Sequence, residues 1–316
     1  MNHNHRDFYS PKRSGLRARI ARLIIFSIWI STAQTFSQSP LELMVPQFSL
    51  HEVRGYIQPL AEMFSANMHA GLYHGAAIPR QGFHLQIELV AMASLIGSQH
   101  RAYDAPLPAG FVPESGSSRT ATVFGGKGTV FRDVNSGLEY RGSDGLFGGD
   151  IFPLFAPQLR IGSVLGTELL VRYMQTPQLS SRTVIPTKSV LWGIGVRHSI
   201  SQYISNAQVD MAAGFFVSRF TLGTLMRFSS TAYSIHFSKS LSLVTLYCGL
   251  GYERGTLHLQ YRHRTEPSAL VDVRIEPTNQ FRVTTGFMID LQAVQLFADA
   301  NFGNVHHYAA GLGFGL

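Results

Sequence analysis

From Phe83 onward the hydrophobicity of this chain repeats every second residue, and that period limits the possible folds more than any other feature. In FHLQIELVAMASLI, Phe83, Leu85, Ile87, Leu89, Ala91, Ala93 and Leu95 share one face, and His84, Gln86, Glu88 and Ser94 share the other. Alternate side chains of a strand point to opposite faces, so the run reads as a strand with one apolar side. It is much longer than the roughly five or six residues of an ordinary strand. It is also long enough for the roughly 9–11 residues that cross a bilayer at a tilt. The period returns in TELLVRYM, VLWGIGVRH, VDMAAGFFVS, FTLGTLMRF, GTLHLQYRH, LVDVRIE, FRVTTGFMID and AVQLFADANF, and the chain ends on VHHYAAGLGFGL.

Charged residues are only 14% of the chain against 45% hydrophobic, and glycine is abundant at 30 residues. A soluble domain carries roughly 25% charge. Lipid offers no hydrogen bonds, so a spanning backbone must pair with itself, as a helix or as a closed barrel. No stretch after residue 33 has the apolar length of a spanning helix. The sequence therefore predicts an all-β fold: a closed antiparallel transmembrane β-barrel of about 12 strands, possibly 14, at roughly 10 residues per strand plus turns. Closure explains the ending, because a last strand paired with the first has no exposed edge. Tyr308, Leu312, Phe314 and Leu316 would face lipid and form the barrel-closing C-terminal signal, with Gly311, Gly313 and Gly315 inside. ERG around Arg254 and EPTNQ from Glu276 read as short turns, and the stretches from Arg101 and from Thr176 as long loops.

On the same logic the polar faces line the lumen. They supply Glu88, Glu168, Arg172, Arg197, Asp210, Arg227, Arg262, Asp272, Arg274, Arg282 and Asp290. Both signs are interspersed, which fits ion pairs bracing a narrow lumen and fits equally a lining that selects solutes.

The front of the chain differs. Lys12, Arg13, Arg17, Arg19 and Arg22 precede the apolar run LIIFSIWISTA, and Ser31 and Ala33 are small residues at a plausible cleavage point. Residues 1–33 therefore read as a secretory signal peptide, too short in its apolar part to anchor. Of the formal +7, +5 lies there, leaving +2. The high pI is then no argument for nucleic acid. Residues 34–80 form an N-terminal helical segment and residues 81–316 the barrel. In the former, Leu50, Val53, Ile57, Leu60, Phe64 and Met68 make one apolar stripe. Pro59 is expected to break it into two helices. The segment either packs on a core or plugs the barrel mouth.

Catalytic patterns are missing. There is no G-x-S-x-G turn, no H-E-x-x-H and no cysteine spacing for a metal. The single cysteine, Cys248, permits no internal disulfide and is expected on an apolar face. His306 and His307 are adjacent on a strand and point apart. GGKG in TVFGGKGTVF lacks phosphate-loop spacing. The reading is accordingly no enzyme, no metal and no cofactor.

The stretches YIQPL, GLYHGAAIP, GFHLQI, TVFGG, PQLRIGSVLGTELLVRY and GIGVRHSISQYI resemble an uncharacterised family of exported bacterial proteins. That family carries a domain-of-unknown-function label and is regarded as barrel-forming. The layout, a helical piece and then a barrel, is also similar to long-chain fatty-acid transport porins, an analogy of arrangement alone. Together these imply a protein of the cell outer membrane, exported by a cleavable signal. Its partners would be outer-membrane lipid and the barrel-assembly machinery, and its oligomeric state is left open. Its role would be passive transport of a small or hydrophobic solute, or a structural or surface-assembly function with a filled lumen.

Overall fold

The structure is a computed structural model that describes residues 50–175, 189–263 and 268–315. The leader at 1–33, the loop from Thr176 and Leu316 lie outside the described residues. Elements are numbered in chain order. Helix α1 (Leu50–Met68) is followed by β1 (Gln81–Leu95). Four short strands then pair as two hairpins: β2 (Ala102–Asp104) with β3 (Arg119–Ala121), and β4 (Val130–Arg132) with β5 (Glu139–Arg141). The main strands are β6 (Ile151–Val164), β7 (Thr167–Gln175), β8 (Ser189–Ser199), β9 (Asp210–Leu222), β10 (Met226–Leu241) and β11 (Val244–Arg262). They continue as β12 (Leu270–Ile275), β13 (Phe281–Asp290), β14 (Val294–Phe302) and β15 (His307–Gly315).

Ten of these close an antiparallel ring in the order β1, β6, β7, β8, β9, β10, β11, β13, β14, β15. The seam is between the last strand and the first, with Ile87 opposite Phe314 and Ala93 opposite Tyr308. β12 stands outside the ring as an eleventh strand. It pairs with the end of β11 (Leu257 opposite Ile275), on the same edge that β13 occupies further along (Tyr252 opposite Phe281). Between β12 and β13, residues 276–280 turn inward, where the amides of Thr278 and Asn279 donate to Glu62 on α1 at 2.8 and 3.2 Å.

Ten strands replace the expected 12 to 14 for two reasons. The strands are long, 16 residues in β10 and 19 in β11. Residues 96–150 cap one end instead of adding to the wall. The expected turn at ERG is likewise absent: β11 runs straight through Glu253 and Arg254.

Helix α1 is continuous, and Pro59 sits within it. A mid-helix proline costs about 3 kcal/mol, and the packing on both sides of it offsets that. Val53, Tyr56 and Ile57 before it, and Ala61 and Met63 after it, are fully buried. The helix lies inside the ring, at the capped end. Phe64 packs against Phe152 (centroids 5.2 Å), Phe220 (4.8 Å) and Phe228 (6.1 Å) from β6, β9 and β10. At its other end Tyr56 donates to the carbonyl of Asp144 in the cap at 2.7 Å, and Tyr140 donates to Glu52.

That placement inverts the wall. In the half of β11 nearest its start, Leu246, Cys248 and Leu250 face out while Thr245, Tyr247 and Glu253 face in. In the other half, Leu257, Leu259 and Tyr261 are buried against the helix, and Arg254, His258, Gln260 and Arg262 face out. The apolar side of the strand follows the greasiest neighbour, which is the surroundings below and the helix above. The same reversal buries Phe220, Leu222, Met226, Phe228, Val271, Val273 and Ile275.

Candidate functional site

The interior below the helix is occupied by residues 69–80, a strap that runs along the lumen from the end of α1 to the start of β1. Two arginines from opposite walls hold its beginning. Arg172 on β7 donates to the carbonyls of Met68 (3.2 Å), Ala70 (3.0 Å) and Gly71 (3.2 Å), and its Nη2 also reaches Gln158 Oε1 at 2.6 Å. Arg282 on β13 donates to the carbonyl of His69 at 2.7 Å and lies 2.5 Å from Glu253. The last carbonyls of a helix lack partners within it, and cations there oppose the negative end of its dipole.

Further along, Glu88 on β1 accepts from Arg160 Nη1 at 3.0 Å, lies 2.8 Å from His74 Nε2, and accepts a bond from Gln158. Glu168 on β7 is clasped from two sides. Arg160 and Arg197 each donate through Nε (2.9 Å) and Nη2 (3.2 Å), and His84 lies 3.1 Å away. Arg197 also donates to the carbonyl of Gly75 and lies over the Tyr73 ring at 5.2 Å. The His74 ring stacks on Phe297 at 3.5 Å, and the Ala76 amide donates to Ser238 Oγ at 2.8 Å. Glu88, Ser94, Glu253 and His307 point toward the axis yet are 0% exposed. A water-filled lumen would leave them wet; here the strap meets the wall instead, His74 at Glu88 and His69 at Glu253.

Of the charges expected inside, Glu88, Glu168, Arg172, Arg197 and Arg282 are buried there. The first four cluster beside β6, and Arg282 belongs to a second group with Glu253 and His69. Asp210 and Asp290 lie on the inner-facing register at the uncapped end and are only half-buried. Arg227, Arg262, Asp272 and Arg274 face outward, contrary to expectation, because their strands turn their apolar sides to α1. Tyr308, Leu312 and Phe314 face outward along the seam. His306 points out and His307 in. Cys248 is exposed on the apolar outer face.

Several interior groups carry no sequence signal of their role. Arg160 sits in PQLRIGSV among apolar neighbours, Glu253 falls in ERG, which reads as a turn, and Asp299 lies in FADANF. Asp299 accepts from Asn301 Nδ2 at 2.5 Å and from the Tyr247 hydroxyl at 3.3 Å. Among the described residues, no group of three or more His, Cys, Asp or Glu could hold a metal ion, and no helix is long and apolar enough to cross a membrane.

The fold and this site define a closed antiparallel β-barrel whose interior is filled by its own N-terminal helix and strap. The chain belongs to the Family of unknown function (DUF6588), whose model matches residues 17–316. No curated protein matches it. Among solved structures it is similar to the outer-membrane protease OmpT from Escherichia coli: 7% identity, TM-score 0.35, covering 76% of this chain and 98% of that one. A loop L8 deletion mutant of OmpT, an outer-membrane protein of Vibrio cholerae, gives 10% identity and a TM-score of 0.28, covering 74% and 98%. The P. putida toluene transporter TodX gives 10% identity and a TM-score of 0.25, covering 73% and 67%.

Proposed function

We propose that this is an outer-membrane β-barrel, exported by a cleavable signal, whose lumen is sealed by its N-terminal helix and which serves as a structural or surface-assembly protein, not as a passive conduit. The observation that carries the second half is the burial of Glu88, Glu168, Arg172, Arg197, Glu253 and Arg282, which all point to the axis. A selective pore needs a wet, weakly held lining. Here Glu168 is committed to two forked arginine contacts, and the strap runs where a solute would pass.

The membrane half rests on the outer surface. Ile87, Leu246, Leu250, Val283, Phe287, Leu296 and Phe314 face outward around the ring, each 40% exposed or more. A soluble monomer rarely shows an apolar patch above a few hundred Å². Aromatic pairs border the belt: Phe215 with Tyr233 (5.1 Å) and Tyr252 with Phe281 (5.0 Å), as barrels place aromatics at the lipid boundary. Surrounding lipid would be the main partner. Tyr308, Leu312 and Phe314 would present the closing strand to the assembly machinery.

Single-channel recording in planar bilayers tests the reading. The intact protein is expected to be silent, and removal of residues 50–80 to produce discrete steps. Steps from the intact protein would favour transport of a small or hydrophobic solute, with the helix as a movable hatch.

A further inference from the structure

Every outward-facing arginine on the ring strands and β12 lies on β9, β10, β11 or β12, among the described residues. They are Arg219, Arg227, Arg254, Arg262 and Arg274. The outward faces of β1, β6, β7, β13, β14 and β15 carry neither arginine nor lysine. The five are contiguous. Arg227 is opposite His258, and His258 is opposite Arg274, so three basic side chains form one row across three strands. Opposed side chains in such a row are about 5 Å apart.

Below the row is a notch of about 650 Å³, bordered by Trp192, Arg219, Ser229, Arg254, Thr256 and Glu276. It exists because residues 276–280 turn inward to Glu62 and leave the edge of β11 uncovered. Among the described residues, the acidic groups on this face are Asp272, which lies 2.8 Å from His258, and Glu276. Arg219, Arg227 and Arg274 enter no ion pair among the described residues; Arg219 stacks over Trp192 at 5.7 Å. Directly beneath lie the aromatic border and the apolar belt. Tyr252 is two residues from Arg254 on the same face of β11, and Leu250 is two further.

An excess of arginine at the upper rim of a lipid-facing belt, on one side of the barrel only, fits one kind of occupant: an amphiphile with anionic oxygens above and acyl chains below. Guanidinium forks match phosphate oxygens two at a time. We propose that the outer face of β9–β12, from the notch to the row Arg227–His258–Arg274, binds the phosphate-bearing headgroup of a lipid in the surrounding leaflet. The acyl chains then lie on Tyr252, Leu250 and their neighbours. This rests on the membrane reading above.

Trp192 gives a local reporter, because the only other tryptophan, Trp29, lies within residues 1–33. Detergent-solubilised protein lacking residues 1–33 is titrated with a bis-phosphorylated glycolipid, its dephosphorylated counterpart, and inorganic phosphate. The phosphorylated lipid should shift Trp192 emission saturably, and the other two should not. Arg227→Gln with Arg274→Gln, neither of which touches Trp192, should weaken binding at least tenfold, and Arg227→Lys with Arg274→Lys should restore part of it. Equal binding of the dephosphorylated lipid, saturation by inorganic phosphate alone, or unchanged affinity in the glutamine pair would overturn the proposal. A nitroxide on Cys248 separates the two ideas. If Cys248 proves to be in water, the membrane reading fails. If it is in lipid while binding ignores phosphate, only the headgroup site fails.

Discussion

Arg172 Nη2 lies 3.0 Å from the carbonyl oxygen of Ala70, so a guanidinium in the barrel wall closes the end of a helix inside the barrel. No carboxylate forms an ion pair with Arg172 among the described residues; it donates to the carbonyls of Met68, Ala70 and Gly71, to Gln158 and to the Met92 sulfur. Arg172→Met would take this donor from the buried carbonyls of Met68 and Ala70, while Gly71 would keep the bond from Gln158 Nε2. The expected loss is about 2–4 kcal/mol, read from urea unfolding in lipid vesicles, together with faster proteolysis of the strap. Arg172→Lys keeps the charge without the fork and should cost roughly half as much.

Glu168 is the other keystone, since Arg160 and Arg197 both converge on it. Glu168→Gln takes from buried Arg197 its one carboxylate partner among the described residues, leaves Arg160 with Glu88 alone, and should destabilise by about 3–5 kcal/mol. Removing one of its partners as well, in Glu168→Gln with Arg160→Met, should cost less than the two single losses added. Strict additivity in that cycle would mean the cluster does not act as a unit.

Gly311 touches the strap indirectly. A Cβ there would come within 2.1 Å of the Phe297 ring and 2.7 Å of the Leu89 carbonyl oxygen. Phe297 cannot retreat, because His74 stacks on it. Gly311→Val should therefore destabilise by about 1–3 kcal/mol and increase hydrogen exchange at the strap amides around His74. Protection unchanged at those amides would break the proposed link from seam to strap.

The inversion along β11 makes a paired prediction. A spin label on Cys248 should be accessible to oxygen and shielded from a water-soluble nickel complex. The same label on His258→Cys, in a Cys248→Ser background, should show the opposite order. Equal accessibility at both sites would contradict a wall that is half in lipid and half above it.

In the cap, Asp133 accepts from the Ser136 hydroxyl (2.6 Å) and from the Val112 amide (2.6 Å), which hold its carboxyl below the usual range. A depressed folded-state pKa contributes stability above the unfolded value, roughly pH 4. That contribution is lost as pH falls through the folded value. Protection of the amides around Val112 and Ser136, taken relative to intrinsic exchange at each pH, should thus fall in acid, and Asp133→Asn should show the lower protection already at neutral pH.

Alternation told which residues share a face, and it told this correctly through nearly every strand. It could not say which face is inside. Where lipid or its equivalent is outside and polar groups are within, as for Glu88 and Arg197, the inside assignment followed. Where an apolar helix fills the lumen, as opposite Leu257 and Val273, the rule reverses, and Arg227, Arg262, Asp272 and Arg274 went to the wrong side. The stripe from Val53 to Met68 was legible as a helix, but the strength of its packing, which lets Pro59 sit inside, was not. Glu253 and Asp299 carry no signal because the groups that hold them inside, His69 and Arg282 for the first and Tyr247 for the second, come from other elements of the chain.

One consequence concerns the order of assembly. The strap joins a helix lodged at the capped end to a first strand that starts at the opposite end, so the polypeptide runs lengthwise through its own ring. A ring already shut could admit that helix only by drawing everything ahead of Leu50 through a passage crowded with paired charges. Closure of the ring is therefore expected to follow the seating of the helix: the zip is done up around an occupant already in place.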